Sequence, residues 1–344
     1  MNLFGTVLTY TAPSANYRGE SAENRAVMQK ITKGRHEYPI ISPETMRNAL
    51  RESLATNLGK DKCNRERLHD EKQLAVKFAN YPDAERYADD FFMGWLIATK
   101  DRENEKENLV LDTTDPRGEP IRTQLVELNK KIKDEQDDGK KKKLKAEKDT
   151  LLKKVQMSFK RDSILRMNMA VGLEPYRHNT VFTQSPQNVN SPWENAENSQ
   201  LLHRETAVTA FQYPFALNLE ECRAKNDWTK TLLKAIGELN NVAGNHARSY
   251  YEMAPASIVV RLTKQLVAGY DTYGFRIQEG DTHTLPEIVG GILKGDYPGN
   301  EFFLGGKIVK DMAEKTQQEL KEKGVTLDRN PQRLLMTISE VALG

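Results

Sequence analysis

Residues 36–54 read HEYPIISPETMRNALRESL, and this stretch sets the fold class. The run RHEYPII at 35–41 has the composition of a short strand. It passes directly into Ser42-Pro43-Glu44, a sharp helix start. The serine can cap free N–H groups, proline suits the first helical position, and a carboxylate in the first turn faces the positive end of the helix dipole. Met46, Ala49, Leu50 and Leu54 then recur at helical spacing as far as Gly59. A strand feeding a capped amphipathic helix predicts an α+β protein.

Outward from this block, residues 2–10, NLFGTVLTY, read as an opening strand, and Thr11 to Glu20 as a polar stretch after it. Residues 60–90 are charged and predicted helical in pieces, ending at Phe91-Phe92-Met93-Gly94-Trp95. Residues 100–120, with Pro116, Gly118 and Pro120, read as an exposed connection. Ile121, Leu125, Leu128 and Ile132, then a break at Asp137-Asp138-Gly139, then Leu144, Leu151, Leu152 and Val155, predict an antiparallel helical hairpin. Its apolar seam is too narrow for an independent domain, so it is an insertion. Residues 161–173 read as a strand, and 174–198, rich in Asn, Gln, Ser and Pro, as a long loop or hairpin tip. TAVTAFQYPFALNL at 206–219 is the clearest strand. A helix is predicted from about Lys225 to Leu239, a strand at Ser257 to Thr263, a helix around 307–323 and an apolar terminal segment at 333–343. Without insertions the order is strand, helix, strands, helix, strand, which matches a ferredoxin-like or RNA-recognition-motif βαββαβ core.

At 344 residues, 38% hydrophobic and 29% charged, the chain is too apolar for disorder and long enough for two units. No apolar run approaches the ~20 residues of a membrane helix, and Met1 to Tyr10 lacks a signal-peptide pattern, so a cytoplasmic protein without membrane contact is expected. Two distant cysteines, Cys63 and Cys222, offer neither a disulfide framework nor a CxxC metal site. The six histidines form no HExxH, and neither a phosphate loop nor a GxSxG occurs, so no cofactor, metal or catalytic residue is expected. Lys and Arg number 51 against 49 Asp and Glu, a net +2, so any nucleic-acid function rests on where the cations lie.

Three groups of cations and donors stand out. Lys140–Lys143 with Lys145 is offset by Asp134, Glu135, Asp137 and Asp138, and reads as the solvated end of the hairpin. Arg47 and Arg51 are four apart and share a helix face, with Arg18, Arg35 and Tyr17 nearby in sequence. An ordinary exposed arginine face fits that pattern equally well. Asn245-His246-Ala247-Arg248-Ser249 follows a glycine and presents donors suited to phosphate, or is simply a polar turn.

Taken together, the 36–54 block, Asp90-Phe91-Phe92-Met93-Gly94, Arg161-Asp162-Ser163, TAVTAFQYPFALNL and GNHARSYYEMAPASIVVRLT at 244–263 resemble the Cas-seven superfamily, the backbone subunits of CRISPR effector complexes. The closest likeness is to the DevR autoregulator branch of type I-B systems, over most of the chain outside 100–156. The resemblance implies a hand-shaped protein. A modified RNA-recognition-motif palm would comprise 1–99, 161–220 and 221–344, helical fingers 100–160, and a long β-hairpin thumb about 174–205. It implies no catalysis: copies of the chain line up as a filament on the spacer of a CRISPR RNA and present its bases to a target DNA strand. Other partners would be Cascade subunits of the Cas-five, Cas-six and Cas-eight types, with a transposition module as an alternative to a nuclease-helicase.

The RNA-binding residues so implied are Asn16, Tyr17, Arg18, Ser42, Arg47, Arg51, Arg161, Ser163, Arg166, Asn245, His246 and Arg248, with His178, Asn179, Phe182 and Gln184 on the thumb. Related type III subunits cleave RNA with an aspartate after the first strand. Residues 11–20 here contain none, Glu20 being the only carboxylate, so no nuclease activity is expected. The alternatives are a metal-dependent RNA endonuclease of the same fold and a DNA-binding autoregulator. The latter would need a helix-turn-helix, which the sequence does not display.

Overall fold

The structure, a computed structural model, describes residues 1–15, 17–22, 25–69, 74–184, 201–242 and 251–344. They divide into two units. The first comprises Met1–Cys63, Arg67–Val76 and Ile164–Gly344, and the second Asn64–Glu66 and Lys77–Ser163.

The first unit is built on a nine-stranded sheet. Strand β1 (Asn2–Leu8) carries alternating buried apolar residues, and β2 (Lys30–Lys33) and β3 (His36–Ile41) form a hairpin. Ser42 then accepts from the Thr45 N–H at 3.3 Å and opens helix α1 (Pro43–Leu58), as its sequence predicts. Strands β4 (Ala170–Gly172) and β5 (Phe211–Asn218) precede helix α2 (Asn226–Gly237). Strands β6 (Ser257–Thr263), β7 (Phe302–Gly306) and β8 (Thr326–Asp328) and helix α3 (Pro331–Leu343) follow. The sheet order is β8-β7-β6-β1-β5-β4-β3-β2, with Leu165–Met167 also paired to β5. β7 and β8 run parallel; the other pairs are antiparallel.

Both faces of the sheet centre are covered, and all seven residues of β6 are buried. Alternation sends Gly5, Phe215 and Gly305 to the face holding α1, α2 and α3, where Leu334 of α3 packs on Gly305. The opposite face carries Leu8, Val259, Phe302 and Leu304, which join Leu285, Ile288, Ile292 and Ile308 in a core.

Several expectations are corrected. Residues 11–28 form strands Ala12–Ser14, Tyr17–Ala22 and Arg25–Met28. The first pairs antiparallel and the last parallel with Leu201–Thr209, so the hairpin made with Asn179–Gln184 belongs to a five-stranded sheet. Between 60 and 90 the helical reading holds only at Lys60–Lys62 and from Ala88, where the helix Ala88–Met93 begins. Lys60–Lys62 is a single turn, and Arg65–His69 and Leu74–Phe78 are strands. The 307–323 segment is two helices, Lys307–Asp311 and Glu314–Glu322.

In the second unit, helices Glu119–Asp134 and Asp138–Leu152 form the hairpin read from the sequence. The supposed connection before them contains a third helix, Arg102–Leu111, whose Leu109 and Val110 share a core with Leu125, Leu151 and Leu152. Among the described residues, no helix is long and apolar enough to cross a membrane.

Gly5 is a tight point at the middle of the central sheet. A Cβ there would lie 2.4 Å from the Phe215 ring, which crosses it from the paired strand. Gly5→Ala should therefore destabilise the protein by about 1–3 kcal/mol, the usual cost of overpacking. Urea denaturation would measure this, and adding Phe215→Leu should recover much of the loss.

Candidate nucleic-acid interface

The proposed contacts on α1 are not equivalent. Ser42 and Arg47 are half-buried, and Arg47 Nη2 donates to the Leu165 carbonyl at 3.1 Å. Arg51 is only 8% exposed and donates to the Asn48 side chain. The shared exposed arginine face is thus corrected. A spacing of four leaves two residues about 40° apart on a helix, enough here to put Arg51 against the body while Arg47 stays at its edge.

Arg47 reaches the strand that carries Arg166. There Arg166 pairs with Ala216, which pairs with Phe4, so Arg166 stands on the sheet face opposite the helices. Arg166 and Asn168 are both exposed. Exposed guanidinium and amide donors suit sequence-independent contact with a sugar–phosphate backbone.

A second group lies where the smaller sheet begins. His178 and Asn179 are exposed, and Phe182 is 60% exposed with its ring 4.6 Å from that of His203. An exposed Phe182 ring, backed by the half-buried His203, can serve as a stacking platform for a base. Glu205 anchors this region and escaped the sequence reading. Its carboxylate accepts from the Met28 N–H and from Lys30 Nζ, both at 3.0 Å, and Lys30 also lies 4.2 Å from the centre of the Tyr176 ring. Burial and the neighbouring Glu205 charge push the Tyr176 phenol up to about 12. The available signal was a glutamate inside a strand pattern, too common to single out.

Arg161 and Ser163 belong to the second unit and serve its packing. The Arg161 guanidinium lies over the Phe91 ring at 5.9 Å, and the Ser163 hydroxyl donates to the Met93 carbonyl at 2.6 Å. Asn16, Asn245, His246 and Arg248 lie outside the described residues, as do the side chains of Tyr17, Arg18 and Gln184.

Among the described residues, Asp90 of the same unit is a carboxylate pushed well above its ordinary range. Its Oδ2 accepts from Asn64 Nδ2 at 2.7 Å and from the Asp83 N–H at 3.0 Å, while Asp89 takes the N–H groups of Asn64 and Arg65. Burial drives the Asp90 carboxyl up to about 6, with the Asn64 bond opposing. These bonds organise backbone, as expected of a structural carboxylate.

The chain is similar to a protein of Myxococcus xanthus (strain DK1622) called CRISPR-associated protein Cas7/Cst2/DevR, at 25% identity over 325 residues, 93% of this chain and 91% of that one. The Cas-seven resemblance read from the sequence therefore stands. No family model matches. Among the solved chains that share the fold are two of near-complete coverage. One, described as a CRISPR RNA-guided surveillance complex, pre-nicking, aligns with a TM-score of 0.55 and 14% identity over 99% of this chain and 100% of its own. The other, described as a CRISPR RNA-guided surveillance complex, gives 0.53 and 10% over the same shares.

Asp90 also makes stability depend on pH. Unfolded, it ionises near its ordinary value of 3.8; folded, at about 6. The folded state therefore binds more protons between those values, and its stability falls as pH rises from about 4 to about 6. Asp90→Asn should flatten that fall relative to the parent, as chemical denaturation at stepped pH would show.

Proposed function

We propose that this protein is a non-catalytic CRISPR RNA-binding subunit that stacks in copies along the guide and holds it for pairing with target DNA. The observation that carries this reading is the near-full-length likeness to a Cas7/Cst2/DevR protein. The geometry supports it. Strands Ser257–Thr263, Asn2–Leu8, Phe211–Asn218 and Leu165–Met167 lie side by side, antiparallel, with α1 and α2 as the two crossover helices. This is the strand order of a βαββαβ core, and we assign it as the palm. The helices of the second unit would be the fingers, and the hairpin of Asn179–Gln184 with Leu201–Thr209 the thumb.

Guide binding would be electrostatic and insensitive to base sequence, with Arg166 and Asn168 on the palm, Arg47 at its edge, and His178, Asn179 and Phe182 at the thumb. Target recognition would fall to base pairing, so the protein needs no base-reading groove. We assign the complex to type I-B, in the cytoplasm, with Cas-five, Cas-six and Cas-eight type subunits as partners. The absence of an aspartate from residues 11–20 supports a role without cleavage.

Co-expression with a CRISPR array and neighbouring genes, followed by extraction of bound nucleic acid, tests the reading. Discrete RNA with repeat-derived flanks is the expected result. Target RNA cut only with magnesium would favour the endonuclease instead, and protein free of RNA that binds promoter DNA the regulator. Arg166→Ala should fold normally and weaken binding alike for all sequences. It should lower the slope of log affinity against log salt by about 0.7, the loss of one single-strand phosphate contact.

A further inference from the structure

One hairpin of the first unit is pinned to the body by a single buried side chain. Its strands Arg276–Gln278 and Thr282–Thr284 pair antiparallel, with Ile277 opposite His283. From Arg276 to Thr284 only His283 is buried, at 2% exposure; Ile277, Thr282 and Thr284 are half-buried and the others exposed. Phe275 and Leu285, on either side, are buried in the core opposite the helices. The hairpin is therefore a flap between two apolar anchors.

The His283 ring is held by polar contacts that suit its neutral form. Its Nδ1 lies 2.8 Å from the hydroxyl of Ser257, a fully buried residue at the start of β6. The Ile308 N–H donates to the same oxygen at 2.8 Å, which leaves the serine proton to donate to Nδ1. On the other side of the ring, Nε2 is buried with no hydrogen-bond partner among the described residues. An imidazolium donates from both nitrogens. Its Nδ1–H would turn the serine proton away from the ring, and its Nε2–H would meet no acceptor. Leaving a neutral N–H unpaired in the interior costs far less than leaving a charged one.

The charged groups facing the ring are Asp281 in the hairpin turn and Lys307 and Asp311 on the helix Lys307–Asp311. Asp311 accepts from the His283 backbone N–H and from Lys307 Nζ, both at 2.8 Å, so its charge is already committed. Arg276 on the paired strand and Glu279 in the turn are exposed to solvent. Burial holds the imidazole below its ordinary value of 6.5; Lys307 adds to this, while Asp281 and Asp311 oppose it. Against its own partial burial, the bonds from Lys307 and the His283 N–H keep the Asp311 carboxyl below its ordinary range, so it stays ionised in weak acid.

We propose that His283 is a pH-sensitive latch: weak acid protonates the ring, which lets go of Ser257 and releases the 276–284 hairpin while Phe275 and Leu285 hold the flanking chain in place. The sign follows from proton binding. The closed ring binds fewer protons than the open one, so the latch is intact above 6.5 and weakens as pH falls below it.

Amide hydrogen exchange, expressed as protection factors so that the intrinsic effect of pH is removed, reads this opening. Between pH 7.5 and pH 5.0, protection across 276–284 should fall by up to about thirtyfold, the ceiling set by the roughly 1.5 units between the ordinary imidazole value and pH 5.0. Protection within α3 should not fall with it. His283→Gln, whose amide can still bond Ser257 but takes up no proton, should keep its hairpin protection at pH 5.0; matching circular dichroism at pH 7.5 is the folding control. In the parent alone, the His283 imidazole followed by NMR should titrate below 6.5, which tests the latch even where the variant does not fold. A ring that titrates at 6.5 or above, hairpin protection unchanged in acid, an equal loss in His283→Gln, or a loss shared evenly with α3 would each overturn the latch.

Discussion

Everything in the first unit returns to Asn2–Leu8. Each of its seven residues is matched on one side by Phe211–Asn218 and on the other by Ser257–Thr263, partners more than 200 residues away. Such pairing is expensive in loop-closure entropy and slow to form, because the long excursions must close before the ladder rewards them. It is also strict. A slip of one residue would turn Leu3, Gly5 and Val7 away from the helix face and bring Phe4, Thr6 and Leu8 onto it. Gly5 under the Phe215 ring helps to specify the match, since only a residue without a side chain admits the ring there.

What could be read in advance follows from this. The Ser42-Pro43 helix start, the apolar run Ser257–Thr263 and the seam of the 119–152 hairpin carry periodicity or capping chemistry that survives whatever else packs on them. The failures are of the opposite kind. Arg102–Leu111, RENEKENLVL, buries only its last residues and so displays no repeating apolar stripe. Arg65–His69 carries charges where alternation would mark a strand. Ala12–Ser14 and Arg25–Met28 take their strand conformation from pairing with a segment nearly 200 residues on, which local preference cannot register. Within the candidate interface, Ser42 was legible because capping is local. The burial of Arg51 was not, because a guanidinium at that spacing looks the same whether it faces water or Asn48.

The arginines show why net charge says little here. Arg65 donates to the Gly94 carbonyl, Arg117 to those of Pro82 and Tyr81, Arg122 to Val110, Asp112 and Asp115, and Arg261 to Ala268. The flat, multi-donor guanidinium suits such work, closing loops whose carbonyls have no ladder partner. Carboxylates are committed in the same way: Asp89 and Asp90 to backbone N–H groups around Asn64, Glu205 to Met28 and Lys30. A formal +2 therefore counts many groups that never meet an external ligand. The quantity that would bear on the proposed RNA contact is the local excess of uncommitted donors on one face. An exposed Arg166 beside Asn168 contributes to it in a way no whole-chain sum can reveal.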